Sequence, residues 1–557
     1  MSFLDKDLHT QRLIGLDDQA PSPASVEVLP ADAGDDGMIA GGAYDGASRH
    51  DREVALWHPP VNSADGDILF DKELIDSRAK DVVRNDSYVS GASKTLQDNI
   101  VGAMFFLNSK PNWKYLGLDE TWAQEFQEEV ETKFTLTAES PNNWLDASRK
   151  KTFSEFIRMA VGVHLFTGET LVTAEWIRQA DRPYNTAVQM VDTDRLSTPP
   201  GMIESRFLRA GVSKDRYGAP VGYHIQQTHP QDWTSLERYT WKYIPTRKPW
   251  GRMQVIHIFE ELRPDQSRGV SAMVTALSEM RMTKSFRKIV LQNAVVNATY
   301  AASIESDMPT ETIYQILGSN NLTGAEVSKM LEAYASGYLG SLDKYIGSKG
   351  MAIDGVKIPH FFPGTRLNLR PAGQGGPLGT EFESSLLRYI AANLGLTYEQ
   401  LSKDFSDTNY SGHRAAMAET WKSMQSKKKS IADRLATHIF HLWLEEAISR
   451  GDIESLPRRA PNFWEGLNRE AYGNCEWVGA SRGQVDELKE TQAAALRIRN
   501  GLSTYEDELS RLGKDWRQVF EQQERERRVM SDRGLVLQAD NMLNAASGDP
   551  REVSEDE

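Results

Sequence analysis

The chain reads as an α+β protein, and three features of its sequence say so. Between residues 75 and 165, apolar residues recur at helical spacing. Between Thr170 and Phe259, runs rich in β-branched and aromatic residues, divided by turn residues, read as strands. From Val270 onward, long stretches free of glycine and proline return to helical spacing.

A chain of 557 residues exceeds one hydrophobic core, and the length alone predicts roughly three to four domains. Its 39% apolar content, with 13 Trp, 18 Tyr and 19 Phe, is enough to build substantial cores. The formal net charge of −15 argues against a protein that grips nucleic acid along a general basic surface, although not against one that DNA slides past. A lone cysteine, Cys475, forms no internal disulfide and points to a reducing cytoplasm as the place of folding. The charged start, Met1-Ser2-Phe3-Leu4-Asp5-Lys6-Asp7, lacks the apolar stretch of a signal peptide. No run approaches the roughly 18 apolar residues of a membrane span, so no membrane partner is expected.

In chain order, residues 1–65 are rich in Asp, Gly, Ala and Pro and read as a flexible arm, with order expected from about Ile75. Val82, Tyr88, Leu96, Ile100 and Val101 recur helically up to Phe106. Trp122–Phe134 is a second helical stretch. Phe153–Leu165 is a third, capped by Thr152 and closed before Gly168. Strands follow at 170–177, 187–191, 220–225 and 254–259, with Asp215-Arg216-Tyr217-Gly218 as a hairpin-like connection. Residues 75–262 therefore read as one α+β domain.

Val270 opens a rod without Gly or Pro up to Asp307, roughly 50 Å long at about 1.5 Å per residue. Arg281, Lys284 and Lys288 share one face of it, with Arg287 beside them. That face is either a solvated or ion-paired helix surface, or a ring of positive charge if subunits assemble in a circle. Residues 308–370 read as a separate small unit, with helices at 310–317 and 325–338, a strand-like tail at 351–363 and a Pro/Gly-rich hinge at 371–377. Helix Glu381–Leu394 is stopped by Gly395, and Thr397 with Gln400 has capping-box spacing for one further turn. A polar run then carries Lys403, Asp404, Phe405, Asp407, Asn409 and Tyr410. It is either a surface connection or a loop held out into a space. After Gly412 a long helix runs to about Ile448 with large residues near 3-4 spacing and Lys428 in one seam position. Residues 457–464 and 472–478 read as irregular and aromatic, helices resume at 484–498, 504–512 and 516–530, and an acidic tail closes the chain.

Catalytic signatures are missing. Gly91-Ala92-Ser93-Lys94-Thr95 lacks the glycine-rich turn of a P-loop, and neither HExxH, paired CxxC nor GxSxG occurs. His438 and His441 stand three apart but lack a third ligand at a useful spacing, so a structural role is expected and no metal. Cys475 reads as a packed thiol, and Glu445-Glu446 as solvated helix charges. No catalytic residue and no cofactor is expected.

The order and combined length of several stretches resemble the portal proteins of lambda-like tailed bacteriophages. They include Val83-Arg84-Asn85-Asp86, Asp98-Asn99-Ile100-Val101-Gly102, Gln266-Ser267-Arg268-Gly269, the run from Leu386 to Ser402, Asn409-Tyr410-Ser411, and Gly473-Asn474-Cys475-Glu476-Trp477. The resemblance spans residues 75–535. It implies a portal fold: wing at 66–265, first stem helix at 266–307, inserted α/β clip at 308–377 and second stem helix at 378–396. A tunnel loop at 397–412, a long helix and further wing at 413–478 and a helical crown at 479–535 would follow, with the tail at 536–557 disordered. It also implies a homo-oligomeric ring of about twelve subunits at one capsid vertex, conducting double-stranded DNA. The partners it implies are the large terminase subunit, head-tail adaptor proteins, the major capsid protein and the scaffold. The loop residues and the basic stem residues would face DNA. Another ring-forming connector or adaptor, or a packaging ATPase or nuclease, are the competing readings.

Overall fold

The computed structural model describes residues 56–299, 380–406, 410–481 and 487–533, with residues 47, 53, 54, 329, 336, 351–353 and 356–358. Most of the expected arm, nearly all of the expected 308–377 unit and the 536–557 tail lie outside the described residues. The chain divides into a unit spanning Met1–Val61 and a second spanning Asn62–Glu557, to which every element named below belongs.

Helices α1 (Ala64–Ile68), α2 (Lys72–Asn85) and α3 (Ser87–Ile100) open the second unit. Structure thus reaches back into residues expected to be arm. Ser63 caps α1, and Asp65 is buried because it accepts bonds from the Ser267 backbone and hydroxyl at 2.7 and 2.5 Å. The helical run expected up to Phe106 is broken by Asp86, whose carboxylate takes the amides of Tyr88 and Val89 and starts α3 afresh. Phe106 itself begins strand β1 (Phe106–Ser109). The short α4 (Trp113–Leu116) leads to α5 (Glu120–Ala138) and α6 (Phe153–Thr167). Thr152 and Glu155 form a full capping box on α6, and Gly168 ends it at φ 76°, as its sequence foretells.

Strands β2 (Glu169–Trp176), β3 (Thr186–Val191), β4 (Leu208–Arg209), β5 (Val212–Lys214), β6 (Pro220–Gln226), β7 (Trp241–Pro245) and β8 (Val255–Phe259) form two antiparallel sheets, ordered β3-β2-β8 and β4-β5-β6-β7. The three-stranded sheet is a middle layer. Along β2, Val172 and Ala174 join the main core while Leu171 packs with Val212, Tyr223 and Ile225 of the four-stranded sheet.

Helix α7 (Leu277–Thr299) begins later than the expected Val270. Ser271 draws the backbone out of helix: its hydroxyl donates to the Leu165 carbonyl at 3.2 Å and accepts from the Met273 amide at 3.1 Å. The 23 helical residues span roughly 35 Å. Strands β9 (Met351–Ile353) and β10 (Val356–Ile358) pair antiparallel, within the residues expected to form a separate small unit. Helix α8 (Thr380–Leu394) packs on α7, and α9 (Tyr398–Ser402) starts from the predicted Thr397–Gln400 capping box. The long helix is observed as α10 (Tyr410–Lys427), a π-helical turn at Lys428–Asp433, and α11 (Arg434–Arg450). It begins at Tyr410, so Ser411 and Gly412 are helical rather than loop. Lys428, the polar residue in the apolar seam, donates to Asp433 and to the Trp477 carbonyl, both at 2.7 Å, which lets it stay buried.

The core is built from both halves of the chain. Trp443 and Phe440 of α11 meet Phe134 of α5 at ring distances of 5.3 and 5.4 Å, and Trp477 meets Phe153 at 5.3 Å. After α12 (Asn468–Tyr472), residues expected to be irregular form β11 (Cys475–Val478), which pairs with β1. Glu445 and Glu446 are not solvated: both are buried on the core side of α11. Glu445 pairs with Arg252 at 2.6 Å, and Glu446 takes the amides of Asn185 and Thr186 at 2.7 Å each. Helices α13 (Glu487–Arg499), α14 (Tyr505–Arg511) and α15 (Trp516–Asp532) close the described chain, and α13 and α15 bury no residue. They are tied to the body by Arg517 with Glu131 and Lys110 with Glu506, both at 2.9 Å.

Candidate functional site

The α7–α8 pair and the segment after α9 hold the residues expected to matter, and a buried ionic cluster fixes where α7 starts. Gly168 and Gly269 cross so closely that a Cβ on Gly269 would lie 2.1 Å from the Gly168 carbonyl oxygen. Beside this crossing Glu169 is fully buried. Its carboxylate accepts from Arg268 Nη2 at 2.6 Å, Arg268 Nε at 3.0 Å, the Gly269 amide at 2.9 Å and His257 Nε2 at 3.1 Å, with Lys72 Nζ 3.3 Å away. Burial pushes this carboxyl up, but Arg268, Lys72 and His257 outweigh it and hold it well below the usual range. His257 is driven down by burial against the pull of Glu169 and so stays a neutral donor. Arg268 also donates to the carbonyls of Leu196 and Thr193 at 2.7 and 2.9 Å, tying the approach to α7 to the β3–β4 connection.

Asp76 forms the edge of this cluster, 2.9 Å from Lys72. Burial raises its carboxyl from 3.8 to about 6 against the opposing pull of Lys72. A folded value above the unfolded one means that the folded state holds the proton more tightly. This contribution to stability is complete below about pH 4 and is lost as pH rises through 6. Asp76→Asn, neutral at every pH, should therefore be more stable than the parent at pH 8, by on the order of 1–3 kcal/mol, and by about half as much at pH 5. Melting curves with no larger gain at pH 8 than at pH 5 refute this.

On the helix pair, Phe286 of α7 meets Phe382 of α8 at a ring distance of 5.4 Å. Of the four basic residues, Arg281, Lys284 and Lys288 are exposed. Lys284 donates to the carbonyl of Asn85, the last residue of α2, at 3.2 Å, where a cation suits the helix end. Arg287 is not a free charge: it pairs with Glu383 at 2.5 Å and its guanidinium stacks 4.0 Å from the centre of the Tyr88 ring.

Past α9 the described loop is short. Lys403 caps α9 in the left-handed conformation, φ 59°, and its ammonium donates to Thr95 Oγ1 of α3 at 3.0 Å. Asp404 closes a local turn by accepting from the Ser406 amide and hydroxyl at 3.1 and 2.6 Å, bonds that lower its carboxyl. Phe405 is half exposed and meets His413 edge-on at 5.5 Å. Asp407 and Asn409 lie outside the described residues, and Tyr410 opens α10. At the other end of the loop's support, Lys427 donates to the Leu394 carbonyl at 3.0 Å and so ties α10 to the end of α8. Among the described residues the arrangement presents short-range polar and aromatic contacts, with no group arranged to transfer a proton or attack a bond.

The other chemical candidates fall to structural roles. His441 Nε2 bonds the Gly473 carbonyl oxygen at 3.0 Å, and burial pushes His438 down to about 4. Burial raises the Cys475 thiol to about 11. Asp192, Asp194 and His229 have metal-ligand spacing, but the Lys80 ammonium stands 2.6 Å from Asp194 and 3.3 Å from Asp192, where a cation would sit. Sequence reasoning missed the Glu169–Arg268 pair. Its one visible trace is the stretch Gln266-Ser267-Arg268-Gly269, which carries no periodicity that would reveal a role.

Comparison with known proteins gives these observations a family. The family described as "Phage portal protein, lambda family" matches residues 50–428. Portal protein B of Escherichia phage lambda is 38% identical over 89% of this chain and 92% of its own length. The portal protein of Escherichia phage N15 is 37% identical over 89% of this chain and 93% of its own. A chain in the virion of a native gene transfer agent particle aligns over 80% of this chain and 93% of its own, at 12% identity and a TM-score of 0.37, too loose a likeness to bear on assembly. The chain belongs to the lambda family of phage portal proteins, which are structural proteins and not enzymes.

Proposed function

We propose that this portal protein assembles as a closed ring of about twelve subunits at one capsid vertex and conducts double-stranded DNA into the head and out again. The observation that carries this reading, beside family membership, is the apolar surface left uncovered on the single subunit. Met282, Ile289, Leu291, Phe382 and Tyr389 on α7 and α8 are exposed at 42–66%. Neighbouring copies around a ring would cover these side chains, Met282 and Ile289 on one side of α7 and Leu291 on the other, and would also cover α13 and α15, which bury nothing alone.

Residues 66–265 and 413–478 serve as the wing, α7 and α8 as the stem, residues 308–377 as the clip and α13–α15 as the crown. The large terminase subunit and later the head-tail adaptors dock on the clip, while the wing meets the major capsid protein and scaffold. The protein acts in the virion after assembly in the host cytoplasm. At −15 per subunit, a twelve-fold ring carries roughly −180 formal charges, which disfavours tight binding and favours passage of a polyanion. The exposed Arg281 and Lys288, and the loop at 403–410, supply brief contacts.

Mass photometry and negative-stain images of the purified protein test the reading. The parent should form a ring of about twelve subunits with a central hole. Ile289→Asp/Leu291→Asp should give mostly monomers with unchanged helical circular dichroism. A solid particle from the parent, or rings from the double variant at the parent's yield, overturns the proposal.

A further inference from the structure

Helices α13–α15 are bound to one another by contacts of their own. Glu508 of α14 accepts from Arg497 of α13 through Nε at 2.8 Å and Nη2 at 2.7 Å, and from Arg511 at 3.1 Å. Phe520 of α15 meets Tyr505 of α14 at a ring distance of 5.5 Å and Trp516 at 5.4 Å. No described residue from 487 to 533 belongs to either apolar core or packs against one. The three helices therefore form a group of their own, laid against the body rather than built into it.

Two side chains of the group, Glu506 and Arg517, fasten it to β1 and α5. Glu506 accepts from Asn108 Nδ2 at 2.7 Å and pairs with Lys110 at 2.9 Å, and Arg517 Nη1 donates to Glu131 at 2.9 Å. Lys110 and Glu506 keep 36% and 30% of their side-chain surface in solvent, so ions reach the pair and screen it. Pairs of this kind hold weakly. The body side also keeps other partners if these bonds part. Lys110 pairs with Glu476 at 2.9 Å, and Glu131 accepts from the Ser109 amide at 2.7 Å and Gln127 Nε2 at 3.0 Å. Asn108 Oδ1 keeps its bond from Gln127 at 3.1 Å. Separation thus strands no buried charge, the opposite of the situation at Glu169 and Arg268.

We propose that α13–α15 is a detachable group, docked on β1 and α5 through Glu506 and Arg517 and released intact as ionic strength rises. Salt weakens the exposed ties to the body. The bidentate Arg497–Glu508 pair, whose carboxylate is buried, and the ring contacts of Phe520 keep the three helices together. The device lies within one subunit and stands whether or not the ring forms.

Double electron–electron resonance on the full chain tests this. Spin labels go on Gln124→Cys of α5 and Gln523→Cys of α15, both exposed positions, in a Cys475→Ser background. Labelled subunits are diluted into unlabelled ones, so that each distance lies within one subunit. At about 0.1 M salt one narrow distance should dominate. Raising the salt to about 1 M shortens the screening length from about 10 to about 3 Å, and a second, broad population should grow about threefold or more. Lys110→Gln/Arg517→Gln should show that population already at the lower salt. Arg84→Gln/Lys422→Gln, which removes two exposed ion pairs elsewhere, should match the parent. Helical circular dichroism should stay unchanged throughout. A single narrow distance at both salt concentrations, or a Lys110→Gln/Arg517→Gln pattern equal to the parent's, overturns the proposal. So does a loss of helical signal as the broad population grows, which would mean that the helices melt instead of detaching.

Discussion

Arg268→Ala is expected to cost the fold about 3–5 kcal/mol, because it leaves a carboxylate in the interior without its main partner. Glu169 is fully buried, and three of its contacts come from the Arg268 side chain. Lys72 is shared with Asp76 and cannot replace the bidentate guanidinium. The Leu196 and Thr193 carbonyls would lose their donor as well. Chemical denaturation should show the midpoint falling with little change in slope. Arg268→Lys should recover only part of the loss, since an ammonium cannot reproduce the fork. The double variant Glu169→Gln/Arg268→Met, which removes both charges, should be less damaged than Arg268→Ala. If Arg268→Ala unfolds at the parent's denaturant concentration, the cluster does not anchor the start of α7.

The second large effect is expected from the loop. Replacing residues 403–409 with a Gly/Ser segment of equal length should leave the subunit folded and the ring intact, yet cut the yield of DNA-filled heads severalfold. The fold should tolerate the change because the described loop residues contribute local bonds and one contact to Thr95, and none enters the core. Glycine also suits position 403, where the backbone is left-handed. What the replacement removes is Lys403, the turn-forming Asp404 and the half-exposed Phe405, whose restricted geometry a flexible segment lacks. DNA content per particle and ring mass are the two measurements. Normal numbers of full heads from intact rings would show that this loop has no part in handling DNA.

The capping signals in the sequence translated directly into structure. Thr152 with Glu155, Thr397 with Gln400, and Gly168 and Gly395 at helix ends all act within one turn, so neighbouring residues suffice to specify them. The four anticipated strands exist within a residue or so of their expected limits, because alternation and β-branching are local as well. Strands β1 and β11 escaped notice for the opposite reason. Each has four residues, and each is a strand only because Phe106 pairs with Val478 and Ser109 with Cys475 across the length of the chain.

The charged residues show the same division. A carboxylate on a helix looks solvated in sequence, and Glu445 and Glu446 are buried because Arg252 and the β3 amides arrive from more than 180 positions away. Arg287 looked like part of a basic face until α8 brought Glu383 to it. The membership of the family, the α+β character and the capped ends of α6 and α9 were therefore settled by the order of residues alone, since each depends on patterns within a few turns or on the summed likeness of many short stretches. Which charges are free, which are neutralised and where α7 takes its start were settled only by tertiary structure. The energy of a charge depends on what stands within a few ångströms of it, and those neighbours come from distant parts of the chain.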